Sequence, residues 1–265
     1  YTCQPPDKAR QYIKMDVIVD GQITAEQHLM DAGNVTQAKA KALLLPAEKQ
    51  AAAWFDTPMG HLDTPLLPSR HIDMAANGSL IANFFNQVQL EASGADISAT
   101  SLGNSVKGLG KDVTIRDIVS TYVFPNTLKT VEVCREQLKK ALERSAEYFT
   151  RNEDGTLRIS DAFLKPKVEH YNYDYYAGVH YVFDCSRPVG QRVTELCVGG
   201  RPAADDDVFT ACLSSYRASG TGGYDCYTGC PVLREIGTEM SDLLLDFFHH
   251  DRPQPPITHC DLCVI

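Results

Sequence analysis

Tyr122-Val-Phe-Pro-Asn-Thr-Leu-Lys-Thr-Val-Glu-Val-Cys134 runs straight into Arg135-Glu-Gln-Leu-Lys-Lys-Ala-Leu-Glu-Arg-Ser-Ala-Glu-Tyr-Phe149, and the change of pattern between them decides the fold class. The β-rich residues Leu128–Cys134 read as a strand, and the stretch from Arg135 to Phe149 reads as a long helix with Leu138, Leu142 and Phe149 near one face. Upstream, Thr114 is placed to cap a short helix through Ser120, so Tyr122–Thr127 is a loop between a helix and a strand. The same alternation continues on both sides. Asn77-Gly78-Ser79 precedes an amphipathic helix with Leu80, Ile81, Phe84, Phe85 and Val88 on its apolar side, ending near Gly94. Ala95–Thr100 follows as a short strand, then a Gly-rich loop from Gly103 to Gly110. Downstream, Asn152–Gly155 is turn chemistry. Val179–Cys185, Arg192–Val198 and Val208–Ser214 are strand candidates, and Ile236, Met240, Leu243, Leu244 and Phe247 define a last helix. Interleaved helices and strands predict an α/β architecture of mixed layers.

The ends are organised differently. Tyr12–Asp20 is predicted as an edge strand. The Ala/Leu/Lys-rich run Val35–Phe55 is helical, with Pro46 either kinking it or, more economically, opening a second helix. Thr57–Pro68 carries three prolines and is read as an irregular connection. These readings divide the chain into an N-terminal extension (1–45), a linker helix and connection (46–68), the main domain (69–250) and a C-terminal tail (251–265).

Composition excludes several classes. Of 265 residues, 43% are hydrophobic and 22% charged, the balance of a globular protein rather than a disordered or fibrous one. No apolar run is long enough for a membrane span. Thirty-four acidic against 25 basic residues give a net charge of −9, the wrong sign for binding a nucleic-acid polymer through its phosphates. Nine cysteines cannot all pair within one chain, and eight lie at or beyond Cys134. Cys226/Cys230 with His259, Cys260 and Cys263 could be drawn as a zinc site, but the spacing fits reduced, partly buried thiols better. Asp205-Asp206-Asp207 is read as a solvated turn ahead of a strand, because adjacent carboxylates on a strand face opposite ways. His249-His250 is read as surface. No metal site is expected in this chain, and no catalytic set is recognisable in it.

Two loops carry chemistry. In Tyr122–Leu128, Phe124 offers a ring face and Asn126 an amide able to hydrogen-bond the edge of a planar heterocycle. In Tyr216-Arg217-Ala-Ser-Gly220-Thr-Gly222-Gly223-Tyr224, aromatics are combined with glycines that let backbone approach a ligand closely. Two rings from separate loops can clamp one base.

The succession Asn83-Phe-Phe-Asn-Gln87, Ala95-Asp-Ile-Ser98, Phe124-Pro-Asn-Thr-Leu128, His170-Tyr-Asn-Tyr-Asp174, Ser186-Arg-Pro-Val-Gly-Gln-Arg-Val193 and Ser215-Tyr-Arg-Ala218 resembles the C-terminal domain of the 5′-nucleotidase family. It is most similar to the branch of bifunctional 2′,3′-cyclic-nucleotide 2′-phosphodiesterases and 3′-nucleotidases, from about Ala47 to Phe248. The resemblance implies mixed β-sheets with a leading linker helix, and a domain that binds nucleoside for an N-terminal metallophosphatase domain holding two divalent metals. That domain's Asp-x-His, Gly-Asn-His and Gly-His-x-His motifs are absent from these 265 residues. The expected partners are a nucleoside or nucleotide (adenosine, a 3′-nucleotide, a 2′,3′-cyclic nucleotide) and the protein's own metal-bearing domain, in a monomer. The chain alone is then expected to bind substrate without hydrolysing it.

By resemblance the base stacks between Phe124 and Tyr216, Asn126 reads its edge, and the turn with Arg217, Gly220 and Gly222 lies at the sugar. Gly222 stands where the 5′-nucleotidase branch has a ribose-binding aspartate. Gly103-Asn104-Ser-Val-Lys107 replaces that branch's Gly-Gly-Ile-Arg loop, making Asn104 a further candidate contact. Ser215 stands where the closer branch often has asparagine. The family also suggests a bacterial periplasmic, cell-surface or secreted location. A stand-alone nucleoside-binding module and a metalloenzyme built on the Cys/His or triple-Asp groups are the rival readings.

Overall fold

The computed structural model describes residues 11–31, 38–249 and 262–265, and divides into two compact units, 1–53 and 54–265. In the first unit, β1 (Gln11–Asp20) and β2 (Gln22–Asp31) form an antiparallel hairpin about Gly21, whose φ of 65° the tight turn requires. The predicted edge strand is therefore half of a two-stranded ribbon. Its partner escaped notice because Gln22-Ile-Thr-Ala-Glu-Gln-His-Leu lacks a clear period. The helix α1 (Ala38–Phe55) is continuous through Pro46, so the proline lies inside one helix and does not open a second.

In the second unit the chain runs through β3 (Pro58–His61), α2 (His71–Asn77), α3 (Leu80–Ser93), β4 (Ile97–Ser101), β5 (Asp112–Thr114) and α4 (Ile115–Thr121). It continues through β6 (Leu128–Cys134), α5 (Arg135–Ala146), the small hairpin β7 (Phe149–Arg151) and β8 (Leu157–Ile159), then β9 (Asp174–Ala177), β10 (Val179–Phe183), β11 (Val193–Val198) and β12 (Arg201–Pro202). It ends in β13 (Val208–Ser214), the single turn α6 (Ser215–Ala218), β14 (Val232–Ile236), α7 (Met240–His249) and β15 (Leu262–Val264). Two mixed sheets dominate, as the α/β expectation requires. A five-stranded sheet has the order β14-β6-β13-β4-β9 and a four-stranded one the order β12-β11-β10-β15; among the described residues β13/β4 and β10/β15 pair in parallel and the other neighbours antiparallel.

Boundaries deviate for identifiable reasons. β3 lies inside the proline-rich connection and pairs with β5, so this stretch is not wholly irregular. Pro58 is tolerated because it opens the strand. Phe149 leaves α5 to begin β7, where it is buried. Ile236 ends β14 rather than starting the last helix, which begins at Met240 after Gly237-Thr238.

α3 packs on the five-stranded sheet within a core that also takes in α5, β10 and β11. Ser79 caps α3 by accepting from the Ala82 N–H, and Gly94 closes it at φ 68°. Ile81, Phe84, Phe85 and Val88 are buried. So is a polar chain. The Gln89 amide donates to Ser98 Oγ (2.8 Å) and the Ala99 carbonyl (3.1 Å), Ser98 donates to Asn86 Oδ1 (2.8 Å), and Asn86 donates to the Tyr175 carbonyl (2.9 Å). These bonds fix α3 against β4 and β9. Glu143 on α5 accepts from the backbone N–H groups of Arg192 and Val193 at 2.9 and 2.8 Å, binding the helix to the start of β11.

Candidate functional site

The strand β6 is preceded by the loop Tyr122–Thr127, and that loop is held at both ends. A capping box starts α4: the Asp117 N–H donates to Thr114 Oγ1, and Asp117 Oδ2 accepts from the Thr114 N–H at 2.9 Å. Tyr122, buried after α4, packs edge-on to Phe85 (centroids 5.2 Å, 81°) and to Phe124 (6.2 Å, 90°). Burial pushes its phenol up to about 12, so it stays neutral, and its oxygen accepts from the Asn126 amide at 3.4 Å. The Asn126 carbonyl accepts from Met240 N at the start of α7, and the Thr127 carbonyl from Ser215 N at the start of α6. Phe124 and Asn126 thus project from a loop clamped by two other elements.

The second loop begins at α6, where Ser214 Oγ caps the Arg217 N–H at 3.1 Å. Tyr216 points outward, 37% exposed. Burial raises its phenol above the usual range, which keeps it neutral. Arg217 points inward and is only 2% exposed. Its guanidinium grips Asp174 through two bonds, Nε to Oδ2 at 2.7 Å and Nη2 to Oδ1 at 2.8 Å, donates to the Tyr171 carbonyl at 3.1 Å and to the Thr221 carbonyl, and stacks over Tyr224 at 3.9 Å. Burial pushes the Asp174 carboxyl upward and Arg217 offsets that push. The arginine is a bolt behind the loop rather than a surface contact.

Between the two loops lies a pocket of about 220 Å³ lined by Ser101, Phe124, Pro125, Asn126, Tyr171 and Tyr216. Its lining has no charged side chain and three aromatic rings. Phe124, Asn126 and Tyr216, separated by about ninety residues in the chain, come together there. The other candidates do not line it. Gly220 and Gly222 sit at φ 85° and 82° in the turn behind Tyr216. A Cβ on Gly222 would overlap Asn172 Oδ1 and Arg217 Nη1, and the Gly222 carbonyl accepts from Arg144 Nε at 3.0 Å. Asn104 spends its amide on a neighbouring segment, donating to the Val168 carbonyl (2.8 Å) and accepting from His170 N (2.9 Å). Tyr171 is the lining residue that the sequence reading passed over. It lies inside the quoted run His170–Asp174, yet nothing in its spacing marks it as a wall of this pocket.

The other clusters resolve as structural. Asp207 is paired with Arg201 through two 2.7 Å bonds and accepts from Ala204 N, which together hold its carboxyl at about 2. Asp205 pairs with Arg135. Cys230 Sγ donates to the Cys226 carbonyl at 3.5 Å, and both thiols are free. His250, His259 and Cys260 lie outside the described residues. Among the described residues no three His, Cys, Asp or Glu side chains gather as a metal site, and no helix is long and apolar enough to cross a membrane.

A family model described as 5′-nucleotidase, C-terminal domain, matches residues 58–229. The trifunctional nucleotide phosphoesterase YfkN of Bacillus subtilis is 26% identical over 157 residues, covering 55% of this chain and 11% of that protein. The 2′,3′-cyclic-nucleotide 2′-phosphodiesterase/3′-nucleotidase of Haemophilus influenzae is 29% identical over 120 residues, 41% of this chain and 18% of its own length. The chain therefore spans less than a fifth of these curated relatives. A Staphylococcus aureus protein assigned as a 5′-nucleotidase, solved in complex with alpha-ketoglutarate, superposes with a TM-score of 0.85 at 33% identity, over 98% of this chain and 52% of that one. A 5′-nucleotidase precursor from Thermus thermophilus shares the fold, with a TM-score of 0.68 at 17% identity over 97% of this chain and 50% of its own. With a family match across most of its length and a fold shared with these solved structures, the chain belongs to the 5′-nucleotidase family and carries the C-terminal domain.

Proposed function

We propose that this chain is the substrate-binding part of a nucleotide-hydrolysing metallophosphoesterase, of the 2′,3′-cyclic-nucleotide 2′-phosphodiesterase/3′-nucleotidase or 5′-nucleotidase type. The observation that carries the proposal is the uncharged, ring-lined pocket joining Phe124 and Asn126 to Tyr216. A nucleobase is flat, apolar on its faces and polar at its edge, and this lining has that distribution. Phe124 and Tyr216 take the faces, and Asn126 takes the edge. The Asn126 amide keeps its carbonyl oxygen and a second N–H beyond the long bond to Tyr122, so it can both accept and donate.

Hydrolysis is assigned to a metal-bearing domain of the complete protein. The family's three metal motifs are absent from the sequence, Asp205 and Asp207 of the acidic run are paired with Arg135 and Arg201, and among the described residues no cluster of His, Cys, Asp and Glu gathers to hold the two divalent metals the family implies. This chain's part in the reaction is to bind the nucleoside and set the direction in which its phosphate projects. A −9 chain suits that division, since its own contacts are with base and sugar. Titration with adenosine and with 3′-AMP tests the reading. Binding through the base predicts that Phe124→Ala and Tyr216→Ala each weaken both ligands by about 1–3 kcal/mol, the worth of one base–aromatic stack.

A further inference from the structure

Tyr171 occupies the pocket on terms different from those of the two clamping rings. Phe124 and Tyr216 arise from loops at the end of the five-stranded sheet, whereas Tyr171 arrives on a separate segment that is fastened at several points. Its ring meets Phe124 edge-to-face, centroids 6.2 Å apart at 62°. Its hydroxyl donates to Glu169 Oε1 at 3.1 Å and accepts from Lys167 Nζ at 2.9 Å. Glu169 is itself held on its other oxygen by the Asn172 amide at 3.0 Å, and the Tyr171 carbonyl by Arg217. Asn104 pins the backbone at Val168 and His170. A half-buried ring with its hydroxyl tied from two sides cannot swing aside to admit a ligand without breaking those bonds. Tyr171 lines the same cavity as Phe124, so a bicyclic base stacked on Phe124 has more edge to bring against the third ring than a monocyclic one.

Resting on the base-pocket reading above, we propose that Tyr171, locked by Lys167 and Glu169, is a specificity-determining residue that favours bicyclic purines over pyrimidines. The test measures dissociation constants for adenosine and uridine in the 265-residue chain and in its Tyr171→Ala and Tyr171→Phe variants, with thermal melting as the check on folding. The wild-type chain is expected to prefer adenosine. Tyr171→Ala should lower that preference by about 3- to 10-fold, the range of one aromatic pair contact, chiefly by weakening adenosine. Tyr171→Phe keeps the ring but frees it from Lys167 and Glu169, and its preference should fall between those of the wild type and Tyr171→Ala. Equal weakening of both nucleosides in Tyr171→Ala would give the residue a purely structural role and overturn the proposal. A Tyr171→Phe variant with the undiminished wild-type preference would overturn the part given to the Lys167 and Glu169 lock. Failure of the wild-type chain to bind either nucleoside would instead overturn the base-pocket reading, and this proposal with it.

Discussion

Arg217 shows how far one residue can stand from the role its position suggests. It follows Tyr216 directly, and the family resemblance put it with the turn expected at the sugar. One step along a helical turn swings the side chain by about 100°, enough to carry the arginine into the protein while the tyrosine stays out. Inside, it ties together Asp174, the Tyr171 carbonyl and the glycine turn. Removing it leaves a buried carboxylate without its counter-charge. Arg217→Leu is therefore expected to cost about 3–5 kcal/mol in urea denaturation, with part recovered in the Arg217→Leu/Asp174→Leu double variant. His170 gives a pH-dependent counterpart. It stacks on His71 at 3.9 Å and shares a 2.7 Å hydrogen bond between its Nδ1 and the Tyr148 hydroxyl, and burial, then His71, lower its pKa from 6.5 to about 4. The unfolded chain thus takes up this proton first as pH falls. Stability from this group is complete above pH 6.5 and is lost progressively toward pH 4. Melting temperatures across that window should fall more steeply for the wild type than for His170→Gln.

Elements were legible where local pattern and tertiary context agree. β6 and β13 have the predicted bounds, and the Ser79 and Thr114 caps start their helices where a short polar side chain precedes an apolar periodic run. β9 and β14 were missed for opposite reasons. Asp174-Tyr175-Tyr176 is buried on both faces and so shows no alternation, whereas Val232–Ile236 is an exposed edge whose pairing with β6 is broken by a bulge. The glycine turn behind α6 belongs to this scale too. Its residues were noticed for flexibility toward a ligand, but Gly222 is needed because Asn172 and Arg217 occupy the space of a side chain. Gly222→Ala combines that overlap with a positive φ, and a loss of about 1–3 kcal/mol in stability is expected from the strain alone. Nucleoside affinity should drop with it, since Arg217 also holds the Tyr171 wall.

At the scale of the molecule, the fold and the family were within reach of ordered motifs, because the spacing of Phe124-Pro-Asn, His170–Asp174 and Ser215-Tyr-Arg is imposed by strands that must pair in one sheet. The pocket was legible only in outline. Phe124 and Asn126 come from one loop and Tyr216 from another, and residue type alone marks both loops as candidates for contact with a planar ligand. Tyr171 depends on where a long excursion between β8 and β9 returns, which no local period encodes. Asn104 is likewise spent on that excursion rather than aimed at the pocket. What unites these residues is an uncharged cavity in an acidic chain, which suits a nucleobase and leaves the phosphate's charge to be met elsewhere. Calorimetric titration of the chain with adenosine, beside Tyr216→Ala under the same conditions, tests that claim most directly. The account predicts saturable one-to-one binding in the wild type, weakened by about 5- to 150-fold in the variant as the loss of one stack requires. Equal affinity in the two proteins would contradict it.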